Sequence, residues 1–467
     1  MANVYIKTVE GGENTNPDGT DAIEIDDGTN SEYVQLNNLF DGAPSQGDTV
    51  YFNGTKWVRL TAGTSGKFLK TNGASANPAW ADLSDGTPAQ GDVMYHNGTK
   101  WVGLAAGTSG YFLKTQGAAA NPTWAAVTAG GVGKNVLPNG GFRVPQRGAG
   151  PFTSATLFPN NDDVYLLDGC VILSDGNDIV DVSQVADTDF VSGYKIRLDV
   201  ETANKRFGIL LPVETRDIQT IRKSGVASLQ FKVKCTGTSM SNVRASVLAW
   251  SSTADTITSD VISAWGAAGA NPTLAANWTA ENTAANLSIS TTIATKTIEN
   301  ITVDTASLTN LAVLIIVDDT DATVGDYLEI GDVKLENGAT ATAYENPSYE
   351  DELRRCRRLF ESVAMGSGQS IAAGIADTNA NGLCFYNYNV QKRIAVHTFS
   401  YGSAIGDFSI RYAGSGVSVA TALTMGSNGI DGATHTATAT GTPLTAGQAV
   451  QLRAVNANAV LYYSAEL

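Results

Sequence analysis

Three histidines make up the whole imidazole inventory of this 467-residue chain, and none stands beside a nucleophile or a second ligand. His96 lies in Met94-Tyr95-His96-Asn97, His397 in Ile394-Ala395-Val396-His397, and His435 in a Thr/Ala-rich stretch. Acid–base or metal chemistry needs a partner within reach of each ring, and the local sequence offers none. There is no Gly-x-Ser-x-Gly elbow, His-Glu-x-x-His pair or paired-cysteine site. Gly133-Lys134 is no phosphate loop, because Thr128 and Asn135 replace the Gly and the Ser/Thr that such a loop requires. Carboxylates are plentiful, with 46 Asp and Glu, and glycoside cleavage needs only two, about 5 to 10 Å apart. Glu201, Glu214, Asp217 and Glu329 are the acids a two-sheet domain would gather, yet nothing in their spacing pairs them; solvated strand ends are the expectation. Asp318, Asp319, Asp321 and Asp326 form an acid-rich turn with oxygens for a structural Ca²⁺, although the spacing is not that of an EF-hand and its closing Glu is missing. No catalytic residue, metal site or cofactor is assigned beyond that ion.

Stacking is the chemistry the chain does supply. Tyr and Trp rings bind the C–H faces of sugars while Asn, Asp and Gln bond the hydroxyls. The richest such set is Tyr386-Asn387-Tyr388 with Tyr401 and Tyr412. Trp265 and Trp278, inside the insertion Ser259 to Ala285, are the second. Packing of these rings between strands or subunits is the competing expectation.

Composition sets the elements that must carry them. Forty-eight glycines and short apolar runs broken by turn residues predict an all-β chain. A formal charge of −16 argues against nucleic acid or anionic membranes as partners. Met1 to Lys7 has no signal-peptide pattern. The longest apolar run, Leu311 to Val317, is too short to span a bilayer, so membrane insertion is not expected and a buried strand is. Cys170, Cys235, Cys356 and Cys384 lack metal spacing and read as reduced, buried thiols of a protein made in the cytoplasm. One stretch is helical: Ser348 caps it, Asp351 completes a capping box, and arginines fill its far end. Tyr349, Leu353, Cys356 and Phe360 recur at helical spacing with Leu359 beside them and predict the packing face, with Arg354, Arg357 and Arg358 outside it.

In chain order, residues 1–40 carry eight carboxylates against one lysine and two short strand patterns, and predict a docking segment. Residues 41–84 return as 85–128: Tyr51-Phe52-Asn53-Gly54-Thr55-Lys56-Trp57 matches Tyr95-His96-Asn97-Gly98-Thr99-Lys100-Trp101. Roughly three quarters of about 40 aligned positions are identical, which marks a true repeat. His96 thus stands where the first copy has Phe52, as a strand-face substitution. Each copy has Asn-Gly between two alternating segments, predicting a hairpin with both central residues at positive φ. Such a unit is too small for its own core, so Trp57, Trp80, Trp101 and Trp124 are expected to be buried against neighbours or parallel chains. A Gly-rich joint at 129–134 leads to about ten strands within 135–346, the pattern of a jelly-roll-like sandwich. The helix, 347–362, connects this to a C-terminal β-sandwich at 363–467.

Four stretches together resemble bacteriophage tail fibre and related tail appendage proteins. Asn135 to Phe142 with Gln146-Arg147-Gly148 is similar to the opening of that family's carbohydrate-binding-like sandwich. Ile330 to Gly338 with Ala341 to Glu345 looks like its last strand and exit, Ser348 to Phe360 like the helix that follows, and Leu444 to Val450 with Ser464 to Leu467 like the closing strands. The resemblance implies a virion appendage, a homotrimer whose N-terminus docks on other tail or baseplate proteins and whose tip meets a host surface glycan. Where relatives carry Asp-Arg-Trp, this chain has Asp168-Gly169-Cys170. The expected function is multivalent, non-enzymatic glycan attachment. The alternatives are a polysaccharide depolymerase and a purely structural fibre.

Overall fold

The computed structural model describes residues 5–7, 22–26, 31–35, 44–82, 89–126, 130–236, 240, 242–317, 322–396, 398–402, 404–412 and 416–467. It is all-β apart from α1 (Gln219–Ser224), α2 (Tyr349–Leu359) and one short 3₁₀ turn. The chain forms two compact units, Met1–Thr128 and Ala129–Leu467.

In the first unit Tyr5–Lys7, Ala22–Asp26 and Ser31–Gln35 make a three-stranded antiparallel sheet. Four separate two-stranded hairpins follow, two per repeat. The Asn-Gly turns differ from expectation: Gly54 and Gly98 have positive φ, but Asn53 and Asn97 do not. Each asparagine uses its side-chain oxygen, which accepts from the backbone N–H of Thr55 and Lys56 in one copy and of Thr99 and Lys100 in the other. That Asx geometry closes a four-residue loop in place of the tighter turn. Trp80 and Trp124 pack within the chain. Their indole N–H groups donate to Thr61 O and Ala105 O at 2.7 Å, and their rings lie over Gly63 and Gly107, where any Cβ would come within 2.6 Å. Each tryptophan therefore fastens the second hairpin of its repeat to the first. Trp57 and Trp101 remain exposed, at 57% and 56%.

The second unit opens with a two-sheet antiparallel sandwich. One sheet runs Val180–Ala186, Tyr194–Val200, Tyr327–Asn337, Val226–Cys235, Ala294–Thr302; the other runs Val164–Leu167, Cys170–Ser174, Phe207–Val213, Asn310–Val317, Asn242–Trp250, Trp278–Ala280. Asn310–Val317 is buried along its whole length. One face meets the core between the sheets and the other lies under the Ser259 to Ala285 insertion, where Val261 and Trp278, with Trp250 of the neighbouring strand, cluster with Leu314 and Ile316. Burial on both faces is the reason this strand is an unbroken apolar run.

Beyond α2, six strands close into a barrel (Ser370–Ala376, Asn381–Asn387, Gly432–Ala439, Gly416–Asn428, Phe408–Tyr412, Ala449–Ala454), where the sequence predicted an open sandwich. Alternation along a strand is the same in both architectures, so the pattern cannot tell them apart. A three-stranded sheet of Phe360–Ala364, Val460–Ser464 and Thr398–Tyr401 stands beside it.

The helix face also differs from its prediction. Ser348 caps α2 as expected, accepting from Asp351 N. Cys356 is buried, but Tyr349 is exposed, Leu353 is half-buried, and Phe360 has already entered the next strand. Cys356 and Leu359 are buried as expected, Phe360 is buried just beyond the helix, and Glu352 joins them on the buried face. Polar anchors turn the helix: Glu352 accepts from Asn139 N, Arg355 donates to Val136 O and Leu137 O at 2.6 and 2.8 Å, and Arg358 binds both oxygens of Glu214.

Candidate functional site

The run Gln146-Arg147-Gly148 bridges the sandwich and the sheet beyond α2. Gln146 donates from its backbone N–H and its side-chain amide to Asp168, at 2.7 and 2.6 Å, and from the same amide to Phe360 O at 2.6 Å. Burial pushes the Asp168 carboxyl up to about 6, against the pull of Arg147. Arg147 then lies flat on Phe360, 3.5 Å from the ring centroid, and 5.5 Å from Phe158. Its guanidinium pairs with Glu466, and both side chains are at least nine-tenths buried. Arg393 holds the adjoining tail by donating to Ala465 O and Glu466 O, and Tyr165 donates to Leu467 O.

These contacts frame a cleft of about 360 Å³, within the size range of small-molecule sites. Phe360 and Tyr462 are nearly parallel, with centroids 6.0 Å apart, and Phe158 stands edge-on to Tyr462 at 5.1 Å. On the same sheet face Ser464 lies between Phe360 and Thr398, and Ser400 pairs with Tyr462. The hydroxyls of Thr398, Ser400 and Ser464 therefore flank the two rings on one surface, with Phe158 set against them from its loop. The loop bearing Phe158 is fixed by the Thr156 hydroxyl, which donates to Thr153 O and Phe158 O, and by Asn160, which donates to Val180 O. This combination of ring faces and closely set hydroxyls suits a polyhydroxylated ligand with apolar faces.

The predicted glycan-binding residues lie elsewhere. Tyr386 and Tyr388 point into the barrel, 7% and 8% exposed, around Tyr463. Tyr386 also donates to the fully buried Glu361, which pairs with Lys392. Asn387, between them, faces outward. Tyr401 and Tyr412 are half-buried against the same core. Trp278 is buried on Trp250, and Trp265 packs beside that cluster. These rings occupy separate places and present no shared surface.

His96 stacks edge-on to Trp101 at 5.7 Å, as Phe52 does to Trp57 at 5.8 Å. His435 is buried and shares a 2.8 Å hydrogen bond with the Tyr463 hydroxyl; His397 lies outside the described residues. Glu329 pairs with Lys195 and Lys234, while Glu214 and Asp217 meet Arg358, Arg216 and Arg355 near α1, and Glu201 is exposed. Of the acid-rich turn, Asp318, Asp319 and Asp321 fall outside the described residues, and Asp326 accepts from Thr323 and Thr236. Among the described residues no group of three or more His, Cys, Asp or Glu is arranged to hold a metal, no helix is long and apolar enough to cross a membrane, and the four buried cysteines form no disulfide.

Sequence reasoning missed Phe158, Phe360 as a floor residue, Tyr462 and the hydroxyl wall. The alternation at Val460–Ser464 marks a strand, but nothing local says that Phe158, some 300 residues earlier, completes its outer face.

No family model matches the chain, and no curated protein does. Among solved structures it is similar to the enzymatically active domain of tailspike protein 4 from bacteriophage CBA120, at 13% identity over 43% of this chain and 21% of that one, TM-score 0.26. A putative sugar-binding protein from Bacteroides thetaiotaomicron aligns at 13% identity over 44% of this chain and 99% of its own, TM-score 0.26. A carbohydrate-binding module of the β-sandwich superfamily aligns at 8% identity over 71% and 96%, TM-score 0.27. The chain spans about a fifth of the tailspike domain it matches. Scores this low transfer neither ligand nor activity.

Proposed function

We propose that the protein is a phage tail fibre-like appendage that attaches to a host surface glycan, and that the cleft between the sandwich and the closing sheet is where a sugar ring sits. The observation that carries this reading is the cluster of Phe158, Phe360 and Tyr462 with the hydroxyls of Thr398, Ser400 and Ser464 set beside the rings on one sheet face. The resemblance of Gln146-Arg147-Gly148 and its companion stretches to the appendage family supports the virion setting. The exposed hairpin faces support a homotrimer, with the N-terminal segment as the part that docks on other virion proteins. One site of this kind is weak, and three on one particle can gain a factor of about 10² to 10⁴ by avidity. Binding without cleavage is favoured because Glu466, the one carboxylate lining the cleft among the described residues, is engaged by Arg147, whereas glycoside cleavage uses two.

Purified protein should adsorb to host cells and block phage adsorption. Tyr462→Ala should weaken adsorption at least about tenfold. Ser400→Arg, which fills the cleft from its rim without removing a packed ring, should do the same. Undiminished adsorption by both variants would move the receptor site elsewhere. Wild-type protein that never competes with phage would favour the purely structural fibre, and shortening of host polysaccharide on size exclusion would mark a depolymerase.

A further inference from the structure

A second recess adjoins the first. It measures about 320 Å³ and shares Arg147, Phe158 and Tyr462 with the cleft; its other wall is the Gly148–Pro151 backbone with Thr156 and Leu157. The Phe158–Tyr462 edge-to-face pair is thus a ridge with a hollow on each side.

The far wall is built to keep its shape. Ala149 O accepts from Gln184 N at 2.8 Å, and Phe152 and Val182 exchange backbone hydrogen bonds of 2.7 and 3.2 Å. Gly150 has φ +82 and is pressed so closely on Val182 O that a Cβ there would come within 2.4 Å of it. At the lip Leu157 is 54% exposed, a large apolar side chain with no core to fill. Among the described residues the charged ones lining either hollow are Arg147 and Glu466, and they neutralise each other. Arg147 Nη1 and Glu466 Oε1, which make no hydrogen bond, are enclosed away from solvent. Neither hollow therefore offers an accessible unpaired charge, and a chain of formal charge −16 disfavours an anionic polymer.

We propose that the two hollows are consecutive subsites of one groove, which takes two or more linked residues of an uncharged polysaccharide rather than a single terminal or acidic sugar. This rests on the cleft being a glycan site. Two hollows joined by a shared aromatic ridge hold neighbouring units of one chain, so the second unit binds with little added loss of translational freedom and affinity rises with length.

The test uses the full-length protein on immobilised hexoses, N-acetylhexosamines and uronic acids, each as monosaccharide, disaccharide and longer oligomers, with Leu157→Asp alongside wild type. Neutral disaccharides and oligomers should bind at least about tenfold tighter than their monosaccharides. Leu157→Asp should abolish that gain and leave monosaccharide binding unchanged. Monosaccharides binding as tightly as oligomers would overturn the second subsite while leaving the glycan reading intact. Preference for uronic acids would overturn the uncharged class. A length gain that survives Leu157→Asp would place the second unit outside this recess. Failure to bind any of these sugars, with cell adsorption also absent, would overturn the glycan reading and the groove together.

Discussion

Alternation decides which face a strand residue occupies, and one register step reverses it. In Asn381–Asn387 the even-numbered positions Cys384 and Tyr386 point into the barrel, while Leu383 and Phe385 face out. The sequence shows that these residues alternate without showing which set is inside. His435 shares the barrel interior with Tyr463, and Phe399 lies 4.9 Å away. Burial pushes its imidazole down to about 4 from the ordinary value near 6.5, outweighing a hydrogen-bonding interaction of the ring with the Thr424 backbone that raises it. The folded protein thus resists a proton that the unfolded chain accepts. Stability from this group is complete above about pH 6.5 and is lost as pH falls toward about 4; the whole effect is worth about 3 kcal/mol. His435→Phe should remove it. Urea titrations from pH 7 to 4 should show the wild type losing about 3 kcal/mol more than the variant. Asp163 and Asp168, which burial raises to about 7 and about 6, are common to both proteins and cancel in the difference. Parallel curves would show that folding does not depress the His435 imidazole.

The connecting helix shows how tertiary anchors override an amphipathic pattern. Its cap, its first-turn acids and its C-terminal arginines were legible because each acts within a turn of itself. The buried face was not, because Arg355 and Glu352 bind backbone groups of residues 136–139, more than 200 positions away. Ser348→Ala should cost about 1 kcal/mol. Arg355→Ala should cost more, about 2 to 3 kcal/mol, because it strips the donors from the buried carbonyls of Val136 and Leu137. Equilibrium unfolding in denaturant should rank them in that order, and a larger loss for Ser348→Ala would mean that local capping governs the joint.

At the scale of the whole molecule, the hairpin repeats leave large apolar side chains exposed in the single chain. Phe52, Trp57, Phe68, Leu69, Trp101, Phe112 and Leu113 are each at least 45% exposed, and isolated two-stranded hairpins are marginal in water. Trimer formation would cover these faces. Native mass measurement at micromolar concentration should find trimers, and Trp57→Ser with Trp101→Ser should shift them toward monomer. Because each copy carries −16, assembly should strengthen as salt screens the repulsion. Wild-type monomer under these conditions would end the fibre-shaft reading.

What the sequence determined by itself is what depends on near neighbours: the all-β class, the duplicated hairpins, the helix with its cap, and the buried strand at Leu311 to Val317. Its ten strand segments between Val164 and Leu335 miss Cys170–Ser174, which is buried throughout and has no alternation to detect. Tertiary structure decided the rest. Barrel closure, the true face of α2 and the meeting of Arg147, Phe158, Phe360 and Tyr462 each join residues far apart in the chain. Periodicity fixes a residue's direction relative to its own element, and a binding cleft depends on how elements face one another.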